Sequence, residues 1–132
     1  MKIYIASSFE LLPYVKEIAE TLENLGHTIT RKWWTFDYKT INIPDKEWYK
    51  LQEVKKCSLL NFKAIQETDC LLLVAHPFVP KKFNGANIEL GYALALGKPC
   101  FSIGKLQRSA MYVPVTKCKD LKEFLKWLNG NK

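Results

Sequence analysis

Long apolar runs are missing from this chain. No segment approaches the ~20 uninterrupted apolar residues a helix needs to cross a bilayer, so no membrane partner is expected. The 4 cysteines, Cys57, Cys70, Cys100 and Cys118, are widely spaced and form no C-x-x-C pair, which argues against a metal site and a disulfide framework. Cys70 and Cys100 border apolar runs and read as reduced, buried thiols. Gly85 and Gly104 have none of the spacing of a phosphate-cradling loop, and no serine–histidine arrangement competes for a catalytic role. The opening M-K-I-Y-I-A-S-S-F-E lacks the apolar core and cleavage site of a signal peptide, so a cytoplasmic location is expected. Acidic residues are the scarcer charge, 13 against 20 Lys and Arg, for a net of +7. That balance suits an anionic partner such as a nucleotide phosphate or nucleic acid. The lysines are scattered, however, and no nucleic-acid motif accompanies them, so a solvated basic surface is the better reading.

What is present alternates between two periods. K-I-Y-I-A (2–6) reads as a strand, and Ser7-Ser8 as a turn and cap. Leu11, Leu12, Val15, Ile18, Ala19, Leu22 and Leu25 recur at helical spacing up to Gly26, and H-T-I-T (27–30) reads as a second strand. Residues 31–50 are rich in aromatics and fit neither period, as expected of a long loop or lid with a short helical piece near its end. A helix is expected over 48–68 and a central strand, buried on both faces, at C-L-L-L-V-A (70–75). A proline-interrupted loop (76–84) leads to a helix that Gly97 and Pro99 stop. A strand at 100–104, an edge strand at 113–115 and a helix over 120–128 complete the pattern. The 132 residues thus read as one α/β domain, doubly wound and Rossmann- or flavodoxin-like, with 4–5 parallel strands flanked by helices.

Ligands of open parallel sheets bind at the carboxyl ends of the strands. Here that rule selects Ala6 to Phe9, Arg31 to Tyr38, Ala75 to Asn84 and Ile103 to Met111. Just past the third segment, Glu89 interrupts I-E-L-G-Y-A-L-A-L (88–96), which is otherwise nearly all apolar or small and reads as a buried helix. The expectation is a carboxylate in the first turns, kept ionised by the helix dipole and placed to act as a nucleophile or cation stabiliser.

The string I-E-L-G-Y-A-L-A-L-G-K-P, with A-I-Q-E-T-D-C-L-L-L-V before it and K-I-Y-I-A-S at the start, resembles the nucleoside 2-deoxyribosyltransferase family. That family includes hydrolases of the N-glycosidic bond in nucleoside 5'-monophosphates. The resemblance runs from Lys2 to about Leu128, with its specific part at 61–104. It implies cleavage or transfer of N-glycosidic bonds through a covalent glutamyl intermediate on Glu89, without a cofactor or metal, and with Tyr4 orienting the carboxylate.

The family places an aspartate eight residues before the acid that opens the central strand, where it helps protonate the leaving base. Counted from Asp69, that position is Asn61, which cannot supply an acidic proton. A catalytically silent nucleotide-binding module is therefore the alternative reading. Asp69 itself is expected to hold the start of its strand. For substrate, the resemblance points to Ser7, Ser8, Asn84 and Gly85, and to Ser109 within Q-R-S-A-M, which in the nucleotide hydrolases reaches a 5'-phosphate across a subunit interface. A homodimer or higher homo-oligomer follows from that last residue. Arg108, Lys81 and Lys82 would add charge near a phosphate, although Phe83 stands where the family often has a small polar residue. Trp33, Trp34, Phe36 or Tyr38 would stack on the base.

Overall fold

The computed structural model describes residues 1–35 and 42–130. Its frame is a five-stranded, all-parallel sheet in the order β2-β1-β3-β4-β5, made by β1 (Lys2–Ala6), β2 (Thr28–Ile29), β3 (Cys70–Ala75), β4 (Cys100–Gly104) and β5 (Thr116–Cys118). Each crossover is long enough to carry a helix, as parallel strands require. The helices are α1 (Leu12–Asn24), α2 (Asp45–Trp48), α3 (Gln52–Glu67), α4 (Asn84–Ala95) and α5 (Leu121–Leu128). No helix among the described residues is long and apolar enough to cross a membrane.

Burial explains the patterns. Every residue of β3 is buried, which is why C-L-L-L-V-A shows no alternation. α1 turns Val15, Ile18, Ala19 and Leu22 inward at helical spacing. α5 lays Phe124 and Trp127 against Phe101 of β4, with ring centroids 5.2 and 6.1 Å apart. All four cysteines are buried and unpaired with one another; burial pushes Cys70 up to about 12, far from a reactive thiolate. Asp69 takes the strand-holding role: its carboxylate accepts from Lys2 N at 2.7 Å, and its own N–H donates to Lys2 O at 2.9 Å.

Three elements depart from the sequence expectation. The edge strand lies at Thr116–Cys118 instead of 113–115. Pro114 has no N–H to give a ladder, and the backbone there coils into a 3-10 turn in which Val113 N bonds Ala110 O and Val115 N bonds Tyr112 O. The helix expected over 48–68 starts only at Gln52, because Leu51 is extended (φ −65°, ψ 134°), and α2 is the short helical piece expected near the end of 31–50. Finally, α4, which begins at Asn84 and carries Glu89 in its second turn, is not buried all round: Ile88, and Leu96 at its C-cap, are exposed. The helix-end dipole fades within the first turn. The charge state of Glu89 therefore has another cause.

Candidate active site

The order β2-β1-β3-β4-β5 reverses direction between β1 and β3, and crevices open at the carboxyl ends of strands where such a reversal occurs. Ser7 and Ser8 follow β1 there, and the loop after β3 leads into α4. A cavity of about 620 Å³ occupies this position, walled by the start of α4, by α3, and by the segments after β1 and β2. Its size suits a small organic ligand.

Glu89 projects from α4 into this cavity and meets Tyr4 of β1, whose hydroxyl donates to Glu89 Oε2. Tyr4 has no solvent exposure and is the bulkiest fully buried side chain among the described residues. The strand wedges it under the carboxylate, so the hydroxyl has a fixed aim. Burial raises the Glu89 carboxyl to about 7, and the hydrogen bond from Tyr4 pulls partly the other way. The Tyr4 hydroxyl is held far above its ordinary range, by burial first and then by the negative charge of Glu89. The tyrosine is thus a permanent donor. This corrects the dipole expectation: near neutrality the carboxylate is only partly ionised, poised by burial against one hydrogen bond.

Asn61, on α3, lines the same cavity, and its Oδ1 accepts from Arg31 Nε at 2.9 Å. Arg31, directly after β2, also donates to Cys57 Sγ at 3.6 Å. Asn84 and Gly85 open α4 on the cavity wall, and a Cβ at Gly85 would meet nothing within 4 Å. Ser7 lines the cavity while its Oγ donates to Val74 O at 2.7 Å. Ser8 also borders it, yet its side chain caps the turn at Phe9–Leu11, accepting from Glu10 N at 3.2 Å. Trp33 is buried, its indole N–H donating to Ile5 O at 2.7 Å, so it serves first as wall and core.

Ser109 lies outside the Glu89 cavity of its own chain. It is exposed, caps a 3-10 turn by accepting from Met111 N at 3.2 Å, and borders a separate cavity of about 210 Å³ together with Arg108. Lys82, but not Lys81, lines the Glu89 cavity. Trp34 packs against the core without lining the cavity, and Phe36 and Tyr38 lie outside the described residues. The aromatic faces bordering the cavity, besides Trp33, come from Phe9, Trp48, Tyr49 and Phe62. The sequence reading missed Trp48, Tyr49 and Phe62 as walls and gave Phe9 and Arg31 no role, although both lie in segments it selected. A signal existed for Arg31, an arginine immediately after a strand at its carboxyl end, whereas the α2–α3 break that places Trp48 and Tyr49 left no periodic trace.

The arrangement offers a buried, orientable carboxylate, a fixed hydroxyl donor, flat apolar walls and an amide. Those groups suit attack on, or stabilisation of, a cationic carbon in a ligand that carries a planar ring. No protein-family model matches the chain, and no curated protein matches it in sequence. Solved structures do share its shape. The 2-deoxyribosyltransferase of the psychrotolerant bacterium Bacillus psychrosaccharolyticus superposes with a TM-score of 0.70 at 24% identity, covering 94% of this chain and 90% of that one. The CMP N-glycosidase BcmB of Clostridium botulinum superposes with a TM-score of 0.58 at 16% identity, covering 98% of this chain and 99% of that one. The chain therefore has the fold these two enzymes share, the doubly wound α/β fold expected from its resemblance to the nucleoside 2-deoxyribosyltransferases.

Proposed function

We propose that residues 1–132 act as one domain that cleaves or transfers the N-glycosidic bond of nucleosides or nucleoside 5'-monophosphates, with Glu89 as nucleophile. The observation that carries this reading is the Glu89–Tyr4 pair at the wall of an aromatic-lined cavity, at the point where the sheet reverses direction. The two enzymes that share the fold, a deoxyribosyltransferase and a CMP N-glycosidase, support the same chemistry.

In the first step a Glu89 oxygen forms a bond to C1' as the C1'–N bond breaks, and its electron pair leaves with the base. Tyr4 positions the attacking carboxylate and favours its ionised form. In the second step water, or the nitrogen of an incoming base, attacks C1' and returns Glu89 to its free state. The base would lie between the aromatic walls, with Ser7, Asn84 and Gly85 near the sugar. Ser109, outside the Glu89 cavity of its own chain, would act only from a neighbouring subunit of a homodimer or larger homo-oligomer. On this reading the protein is a cytoplasmic enzyme of nucleotide metabolism.

Incubation with a panel of nucleosides and 5'-monophosphates, with and without a second base, tests the reading. Free base alone indicates hydrolysis; a new nucleoside made only with the acceptor indicates transfer. Saturable binding without product would favour the second reading, a binding module, which Asn61 in place of the family's acid motivates. Neither binding nor product would overturn both.

The pair also predicts a pH profile. The rate should rise with pH through about 7 as Glu89 loses its proton. Tyr4→Phe removes the donor that favours the carboxylate, so the rise should move to higher pH. An unmoved limb in kcat/KM would reduce Tyr4 to packing.

A further inference from the structure

Asn61 occupies the position where an acid was expected, and its neighbours define what it does instead. A guanidinium carries donors only, so the carboxamide atom that Arg31 Nε approaches at 2.9 Å is the oxygen. The orientation of the amide follows from that chemistry. The group left to serve the cavity is the NH2, with two donors and no acidic proton. Arg31 is half-buried, so its charge is only partly screened, and a cation bound to the amide oxygen polarises the N–H bonds on the other side.

Resting on the N-glycosidic reading above, we infer that Asn61, oriented by Arg31, receives the departing base as an anion by donating to the carbonyl beside its glycosidic nitrogen, so that the site selects uracil-type bases over cytosine and adenine. As Glu89 bonds to C1', the pair of the C1'–N1 bond passes to N1 and spreads onto the adjacent carbonyl oxygen, which the Asn61 N–H groups hold. The protein transfers no proton in this step; N1 takes one from water after release. Uracil, thymine and 5-fluorouracil bear that negative charge well. Cytosine, enriched by an amino group, leaves poorly unless protonated, and adenine has no carbonyl beside its glycosidic nitrogen for Asn61 to hold. An aspartate at 61 would reverse the effect, because Arg31 would keep it ionised and its charge would face the departing anion. Asn61 would touch the base; Arg31 is a positioning residue acting through it.

The test measures base release by the full chain from 5-fluoro-2'-deoxyuridine, 2'-deoxyuridine, thymidine and 2'-deoxycytidine, as nucleosides and 5'-monophosphates, and from their ribo counterparts. The expected order is 5-fluorouracil, uracil, thymine, then cytosine. Asn61→Ala should slow the uracil-type substrates about ten- to a hundredfold, the worth of a hydrogen bond to a charged group. Asn61→Asp should slow them as well. Arg31→Met should lower kcat with KM little changed, and Arg31→Lys should recover part of the loss. Melting curves establish that each variant is folded, and the wild-type series decides the matter if one is not. Equal rates across the bases, or faster turnover by Asn61→Asp, overturn this inference while leaving the N-glycosidic reading standing. No turnover of any substrate by the wild type overturns that reading and this inference with it.

Discussion

Glu89→Gln is expected to abolish turnover and, at neutral pH, to raise the stability of the same protein. Loss of the nucleophile should reduce kcat on the order of 10⁴-fold or more. The gain in stability follows from linkage. Burial raises the Glu89 carboxyl from 4.5 to about 7, so the folded chain holds a proton that the unfolded chain releases. Below pH 4.5 the group is protonated in both states and nothing is lost. Between pH 4.5 and about 7 stability falls as pH rises, and above that window the loss is complete. Glutamine carries no charge to bury and still accepts the Tyr4 hydroxyl. The variant should therefore gain on the order of 2 kcal/mol at pH 8, allowing for screening from the cavity side, and nothing at pH 4. Denaturant melts of both proteins across that range check it. A carboxylate that served to hold the fold together would instead destabilise on replacement at every pH, and that outcome would remove the argument for a functional group kept against stability.

Gly104→Ala is expected to be the most damaging single-methyl change in the sheet. Gly104 ends β4 with φ +99°, a conformation L side chains rarely adopt, and pairs in register with Ala75 of β3. A Cβ there would stand 2.2 Å from Ala75 O and 2.5 Å from Ala75 C. Those are backbone atoms of a fully buried central strand, so relief requires β3 and β4 to separate. Backbone strain and overpacking together should remove about 3 kcal/mol or more, measured as a shift in denaturation midpoint at constant m. Gly97→Ala isolates the first of these effects: φ is +73°, but nothing lies within 4 Å of the added carbon, and about 1 kcal/mol is expected. Gly85→Ala has neither problem and should leave stability unchanged or slightly higher, since alanine favours the helix, while narrowing the cavity mouth. Similar losses at all three positions would refute the close approach at Gly104.

Much of the frame was legible before any coordinates. Burial on both faces writes itself as an unbroken apolar run, hence C-L-L-L-V-A; burial on one stripe writes itself as helical spacing, hence α1. The stop at Gly97 was legible too, because a left-handed residue followed by Pro99 leaves few alternatives: Gly97 N bonds Leu94 O and Lys98 N bonds Ala93 O, as such an ending requires. Glu89 stood out because an acid inside an apolar helix demands an explanation, and Tyr4 joined it only through resemblance. The errors fell where local signals compete. V-P-V looked like a strand until the missing N–H of Pro114 was counted, and the α2–α3 break occurs inside a segment whose composition alone suits a helix.

What composition and periodicity decided, then, is the alternation of strands and helices, the parallel sheet and the oddity of Glu89, since these are properties of neighbours along the chain. The charge state of Glu89, the pairing of Asn61 with Arg31 and the position of Ser109 outside its own chain's cavity were decided in three dimensions. Desolvation depends on what surrounds a carboxylate from every side, and the orientation of an amide depends on an arginine thirty residues away. Neither quantity exists until β1, β2, α3 and α4 have been brought to one end of the sheet.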